Sequence, residues 1–237
     1  MGIAATKNIY IGYDPREALA YRVCIESLKS FDTGFAIQPV GMRFVPQYQR
    51  PTRTVDGKLW DDISGAHMAT EFSLARFWVP HIQRSGWALY CDCDFMFRAP
   101  VDRLFAMADD RYACMVVKHN HSVKFEPGTK MDGQVQNNYP RKNWSSLVLW
   151  NCSHPKVSAY MHPAWLNEAV GRSLHAFNVF NDDEIGELPL EWNWLAGVSQ
   201  HVDNPQAVHF TLGTPDMKGY ETCYGRYGDE WRQHAYR

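Results

Sequence analysis

Asp92 and Asp94 stand two residues apart in Leu89-Tyr90-Cys91-Asp92-Cys93-Asp94-Phe95-Met96-Phe97, at the end of an apolar run. In extended chain, alternate side chains point the same way. Both acids can then face one ion while Cys91 and Cys93 turn to the other side. An oxygen-rich set of this kind suits Mg²⁺ or Mn²⁺, and a cation held there can neutralise a departing diphosphate. The competing reading is an Asp-x-Asp turn that closes a strand without any ion. The apolar framing favours the cation, because acids beside a buried strand need a partner.

Other residues are chemically able but locally ambiguous. Arg76 can reach an anionic group with its fork or form a salt bridge to Glu71 or Asp92. His209, between Val208 and Phe210, reads as a metal ligand or as a hydrogen-bonded core histidine. Asp14-Pro15 reads as a helix N-cap followed by proline in the first turn. The acids Asp182-Asp183-Glu184 line a site or begin a helix. The six cysteines form no CxxC pair and read as reduced packing residues.

These side chains need strands and helices to hold them. Asn8 to Gly12, Phe35 to Val40, Met42 to Val45, Trp87 to Tyr90, Tyr112 to Lys118, Trp144 to Trp150 and Ala207 to Phe210 read as strands. A helix is expected after Asp14, with Ala18, Tyr21, Ile25 and Leu28 on its buried face. Phe72, Ala75, Trp78 and Val79 predict another over Thr70 to Ile82, disturbed by Pro80 at its far end. Shorter helices are expected at Val101 to Ala108 and, interrupted at Pro163, at Pro155 to Gly171. Pro46 to Gly65 reads as an irregular loop, and the long polar stretch His119 to Arg141 as a binding loop or lid. The alternation predicts an α/β fold.

At this point the chain resembles a family. The run Thr70-Glu71-Phe72-Ser73-Leu74-Ala75-Arg76-Phe77 leading into ALYCDCDFMF is similar to nucleotide-sugar transferases of the GT-A fold, and glycosyltransferase family 8 is the nearest group. IYIGYDPREALAYRVCIESL, RKNWSSLVLWNC, LPLEWNW and AVHFTLG follow the family order over nearly the whole chain. The resemblance implies a Rossmann-like, mixed but mainly parallel sheet flanked by helices. It implies Mn²⁺ (or Mg²⁺) held by Asp92, Asp94 and His209, a nucleotide-sugar donor, and a glycan, lipid-linked or other acceptor. Donor contacts would come from Asp14, Arg76, Asn143, Ser146, Trp192, Gly213 and Lys218, with Asp183 and Glu184 beside the reacting sugar. The chain departs from the family in three places. Glu17 stands where a base-stacking tyrosine is usual, serine replaces glycine after Asn143-Trp144, and Lys218 lies further from Gly213 than the family lysine. Retention of anomeric configuration is the outcome the resemblance implies.

Three rival functions are weighed against this. A haloacid dehalogenase-type phosphatase carries its Asp-x-Asp at the first strand, not deep in the chain. A sugar nucleotidyltransferase needs a glycine-rich phosphate loop, which Gly12-Tyr13-Asp14-Pro15-Arg16 lacks. A sugar- or nucleotide-binding protein of the same fold, without turnover, is opposed by the intact acids and histidine. The balance of 24 Lys+Arg against 26 Asp+Glu gives no positive field for a polyanion, which argues against nucleic acid as partner. Met1 to Lys7 has no signal-peptide core, and no later segment stays uncharged for the roughly 20 residues of a membrane span. A soluble cytoplasmic protein with a single domain over residues 1–237 is expected.

Overall fold

Strands covered on both faces read as near-continuous apolar runs, and NIYIG, WALYC and LVLWN pair in the middle of the protein. The computed structural model describes residues 8–31, 34–119 and 141–236, with two short strands between them. In chain order the strands are β1 (Asn8–Gly12), β2 (Ala36–Val40), β3 (Thr52–Val55), β4 (Lys58–Asp61), β5 (Ala66–Met68), β6 (Trp87–Cys91), β7 (Phe95–Phe97), β8 (Cys114–Val116), β9 (Thr129–Lys130), β10 (Gln134–Val135), β11 (Leu147–Asn151), β12 (Ile185–Glu187), β13 (Trp194–Leu195) and β14 (Ala207–His209). The helices are α1 (Ala18–Lys29), α2 (Val79–Gln83), α3 (Asp102–Phe105), α4 (Pro155–Tyr160), α5 (Pro163–Leu166), α6 (Gly171–His175) and α7 (Arg226–Ala235).

The central sheet has the order β12-β8-β11-β6-β1-β2. It is mixed and mainly parallel: only β11 runs against its neighbours β6 and β8. Side chains alternate between two cores. Ile9, Ile11, Leu89, Cys91 and Leu149 face one side with Ala20, Cys24 and Leu28 of α1, while Tyr10, Tyr90, Val148 and Trp150 face the other with Trp78 and Val79. A smaller sheet, β13-β14-β7, joins the C-terminal part of the chain to the segment after β6. No helix among the described residues is long and apolar enough to cross a membrane.

The α/β fold stands as read, and local structure departs from expectation in five places. Residues Thr70 to Ile82 do not form one helix. A turn leads into a 3-10 segment at Ala75–Trp78, and Pro80 sits in the first turn of α2, where a missing N–H costs nothing, rather than at the end of a helix. Met42–Phe44 is a 3-10 turn, not a strand. Ala18 is exposed, and the inner face of α1 is Ala20, Val23, Cys24, Ser27 and Leu28. The helix α7 had no clear sequence signal.

The fifth departure is Pro46 to Gly65, which contains most of the antiparallel sheet β3-β4-β5. Its hairpin turns on Asp56 and Gly57, with φ of 50° and 74°. Two successive left-handed residues make the turn that matches strand twist, and Asp-Gly is its usual sequence. A buried ion pair fastens this sheet. Arg50 donates from Nε and Nη2 to Asp61 at 3.0 and 2.6 Å, and from Nη1 to the carbonyls of Leu166 and Ala169. Burial raises the Asp61 pKa, but the Arg50 and Ser64 hydrogen bonds outweigh it and hold the carboxyl below its usual range.

Candidate metal and donor site

The parallel strands β1, β2 and β6 end together, and antiparallel β11 begins there: Ile11 and Leu147 both lie opposite Cys91. Open α/β sheets bind ligands beyond the carboxyl ends of such strands. Here β6 stops at Cys91, and Asp92 to Asp94 form a turn before β7, not the extended chain expected. The expected result still holds in part. Cys91 lies against Cys24 in the core on the α1 side, with Sγ atoms 3.9 Å apart, and Cys93 is buried in the same core.

Asp92, Asp94 and His209 come together, with one ligand atom from each lying within 4.8 Å of the others. His209 reaches them because β14 pairs with β7, placing it opposite Phe95, on whose ring it stacks at 4.3 Å. Asp92 is held from the far side. Arg76 Nη1 lies 2.9 Å from its Oδ1, and the Tyr90 hydroxyl donates to the same oxygen at 2.6 Å. Burial raises the Asp92 pKa, Arg76 pulls it back, the charge of Asp94 adds to the rise, and the net direction is up.

A directional hydrogen-bond chain fixes the proton on His209. Ser146 Oγ donates to the Asn143 carbonyl at 2.7 Å, and the same Ser146 Oγ accepts from Asn193 Nδ2 at 2.9 Å. Asn193 Oδ1 is thereby turned to His209 Nδ1, 2.9 Å away, and Nδ1 carries the hydrogen. Nε2 lies 3.2 Å from Asp94 Oδ2, and in the neutral imidazole it is an acceptor. In that form two acceptors face one another, an arrangement completed by a proton on the ring or by a cation between them. Two carboxylates and an imidazole fit Mn²⁺ well, and Mg²⁺ less closely because of the nitrogen. Asn193 is fully buried and stands where an outer partner orients a ligating histidine. Asn193→Ala is expected to weaken Mn²⁺ binding about 10–100-fold, read by calorimetry.

Arg76 donates from Nε to the Ser73 carbonyl and from Nη1 to that of Ser145. Behind it, Ser145 Oγ pairs with His175 Nδ1 at 2.9 Å, a link with no signal in the sequence. Burial and then the Arg76 charge push the His175 pKa down to about 3. A histidine depressed in the folded state stabilises fully above its unfolded pKa, near 6.5, and loses that contribution as pH falls towards 3. Stability should drop by up to about 1.4 kcal/mol per pH unit in that window, and His175→Gln should flatten the slope in urea titrations.

The remaining expected donor contacts divide. Asn143 lies at the site with a left-handed φ of 63°, and its side-chain amide makes no hydrogen bond to any described residue. Ser146 is buried within the chain to His209 and acts as support. Asp14 is buried, and its carboxylate already accepts four hydrogen bonds, from Arg16 N, Nε and Nη2 and from Glu71 N. It caps the turn as read, and a base could reach it only by displacing Arg16. Trp192 is 1% exposed inside the α1-side core and does not line the site. The bare face of Gly213, expected to admit a phosphate, is covered by the Tyr220 ring, which a Cβ would meet at 2.6 Å. Lys218 is exposed on the following turn.

Asp183 and Glu184 are not brought to the cluster. Glu184 accepts at its carbonyl from Ala113, whose own carbonyl accepts from Asn151, level with Trp87 at the other end of β6. Its carboxylate closes a capping box and pairs with Lys156 at 2.7 Å. These acids form a short 3-10 helix capped by Asn181, in line with the helix start the sequence left open. The segment expected as a lid, His119 to Arg141, lies mostly outside the described residues.

No family model matches the chain. Protein CDI of Arabidopsis thaliana is 40% identical over 230 residues, spanning 94% of this chain and 84% of that protein. The chain belongs to the family of protein CDI. Among solved structures, this CDI-family chain is similar to the bifunctional glycosyltransferase WbbM, with TM-score 0.64, 15% identity and coverage of 99% of this chain and 50% of that one. It is similar to the glycosyltransferase GlyE of Streptococcus pneumoniae TIGR4, with TM-score 0.61, 14% identity and coverage of 99% and 61%. Galactosyltransferase LgtC, in complex with donor and acceptor sugar analogs, gives TM-score 0.54, 12% identity and coverage of 96% and 95%. The CDI-family chain thus has the fold of these glycosyltransferases, and spans about half the length of the WbbM chain.

Proposed function

We propose that the protein is a divalent-cation-dependent glycosyltransferase. It takes a hexose from a nucleoside-diphosphate sugar, a UDP-sugar first, and passes it to a glycan, lipid-linked or other acceptor with retention of configuration. The observation that carries this reading is the convergence of ligand atoms from Asp92, Asp94 and His209 within 4.8 Å of one another, at the carboxyl end of β6. The likeness to glycosyltransferase folds and the family 8 resemblance of the motifs support the same reading. Asp92, Asp94 and His209 hold Mn²⁺, which when bound neutralises charge on the departing diphosphate.

The chain's own residues supply the rest. Arg76, fixed by Asp92 and two carbonyls, presents a preorganised guanidinium to the donor sugar or diphosphate. Asn143 offers its uncommitted amide to sugar hydroxyls. Tyr13 packs edge-on against Tyr21 at 4.9 Å and Phe44 at 5.6 Å beyond β1 and β2, forming an aromatic corner for the base. Lys218 adds positive charge above the diphosphate.

The test is calorimetric titration with UDP, GDP and other nucleoside diphosphates, each with Mn²⁺ and with chelator. Mn²⁺-dependent binding of one nucleotide is expected and selects the sugars to screen, with product anomers read by NMR. Failure of every nucleotide to bind would overturn the reading.

A further inference from the structure

We propose that His175 is a positioning residue of the donor site, acting through Ser145 on Arg76. The inference rests on the donor-binding reading of Arg76 above. Asn143 to Ser146 form one tight turn, and three parts of the site lean on it. The Ser145 carbonyl accepts from Arg76 Nη1 at 3.0 Å, and the Ser146 carbonyl accepts from Asp92 N at 2.9 Å. Ser146 Oγ accepts from Asn193, whose other side-chain atom holds His209. The local backbone does not favour this turn. Arg141 and Asn143 take left-handed φ values of 60° and 63°, which residues with side chains keep only where their surroundings impose them.

His175 supplies one such restraint from outside the site. Its Nδ1 is hydrogen-bonded to Ser145 Oγ at 2.9 Å. The histidine ends α6, and the first residue of that helix, Gly171, donates from N to Ser64 Oγ at 2.8 Å. Ser64 N donates in turn to Asp61 at 2.8 Å, so the helix is anchored to the buried ion pair of the β3-β4-β5 sheet. The imidazole also meets the ring of Phe77, the neighbour of Arg76, edge-on at 5.3 Å. One side chain on an anchored helix thus restrains both the carbonyl that receives Arg76 and the residue beside it. A planar guanidinium meets phosphate or sugar oxygens well in only a narrow range of orientations, which is what this restraint secures.

The test titrates UDP by calorimetry, with Mn²⁺ present, into the wild type, Ser145→Ala, His175→Phe and His175→Asn, and into the same three variants combined with Arg76→Gln. Ser145→Ala and His175→Phe remove the contact, and each should weaken UDP binding about 3–10-fold, the scale of one net hydrogen bond. His175→Asn keeps a polar atom in the place of Nδ1 and should stay within about twofold of wild type. Combined with Arg76→Gln, the losses should shrink below about twofold, because residues that act through one another are not additive. A role in stability alone would lower the melting temperature and leave the same loss with or without Arg76. Wild-type affinity in Ser145→Ala and His175→Phe, or equal losses on both backgrounds, overturns the role of His175 alone. A wild-type protein that binds no nucleoside diphosphate overturns the donor reading and this inference with it.

Discussion

Asp94→Ala is expected to abolish Mn²⁺-dependent nucleotide binding in calorimetry while leaving the circular dichroism spectrum and melting temperature close to wild type. The side chain supplies the oxygen facing His209 Nε2, so its loss should cost more than the roughly 10–100-fold attached to an outer-sphere partner. The fold should survive because the Asp94 carbonyl still accepts from Phe210 N at 2.9 Å, keeping the small sheet joined to the acidic turn. His209→Ala should match it in cation affinity. Full Mn²⁺-dependent binding in Asp94→Ala would remove the basis for placing the ion at this turn.

The largest effect on stability is expected from Asp61→Ala. It strands the Arg50 guanidinium, whose side chain is 0% exposed, without its carboxylate. Breaking a buried pair by deleting one partner costs about 3–5 kcal/mol, which in a chain of this length lowers the melting temperature by about 10 °C. Pairing Asp61→Leu with Arg50→Met should recover much of the loss, since apolar replacement of both charges is often neutral. A single variant melting within about 2 °C of wild type would show that the pair contributes little.

The fold and the acidic pair were legible because short apolar runs and the acids that close them leave a strong local pattern. Ile9, Ile11, Leu89 and Leu149 belong to apolar runs too short for helices, and Asp92 and Asp94 close one of them. His209 needed the family resemblance, because what brings it to the acids is the pairing of β14 with β7 across more than a hundred residues. The hairpin at Asp56-Gly57 was present as a turn signal but masked by its polar surroundings. Asp183 and Glu184 misled because an acid cluster looks alike as a turn start and as a catalytic group. Only the sheet register separates the two, placing Glu184 level with Trp87 instead of Cys91. Trp192 misled for a related reason, since a tryptophan beside a site residue is as apt to fill core as to stack on sugar. Asn193 is the converse: an unremarkable residue type made decisive by one buried carbonyl oxygen.

The small sheet β13-β14-β7 places the three residues proposed to hold the ion on two segments that the chain completes at different times. Asp92 and Asp94 belong to the first part, whereas His209 and its partner Asn193 belong to the last. An ion bound by both would hold the late segment against the early one, and so would stabilise the assembled state over any form in which the C-terminal layer has come away. That linkage amounts to about 2.7 kcal/mol when free ion stands at a hundred times its dissociation constant. Chelation should therefore loosen residues 194–235 before the central sheet, making this layer the first to open to amide exchange and proteases.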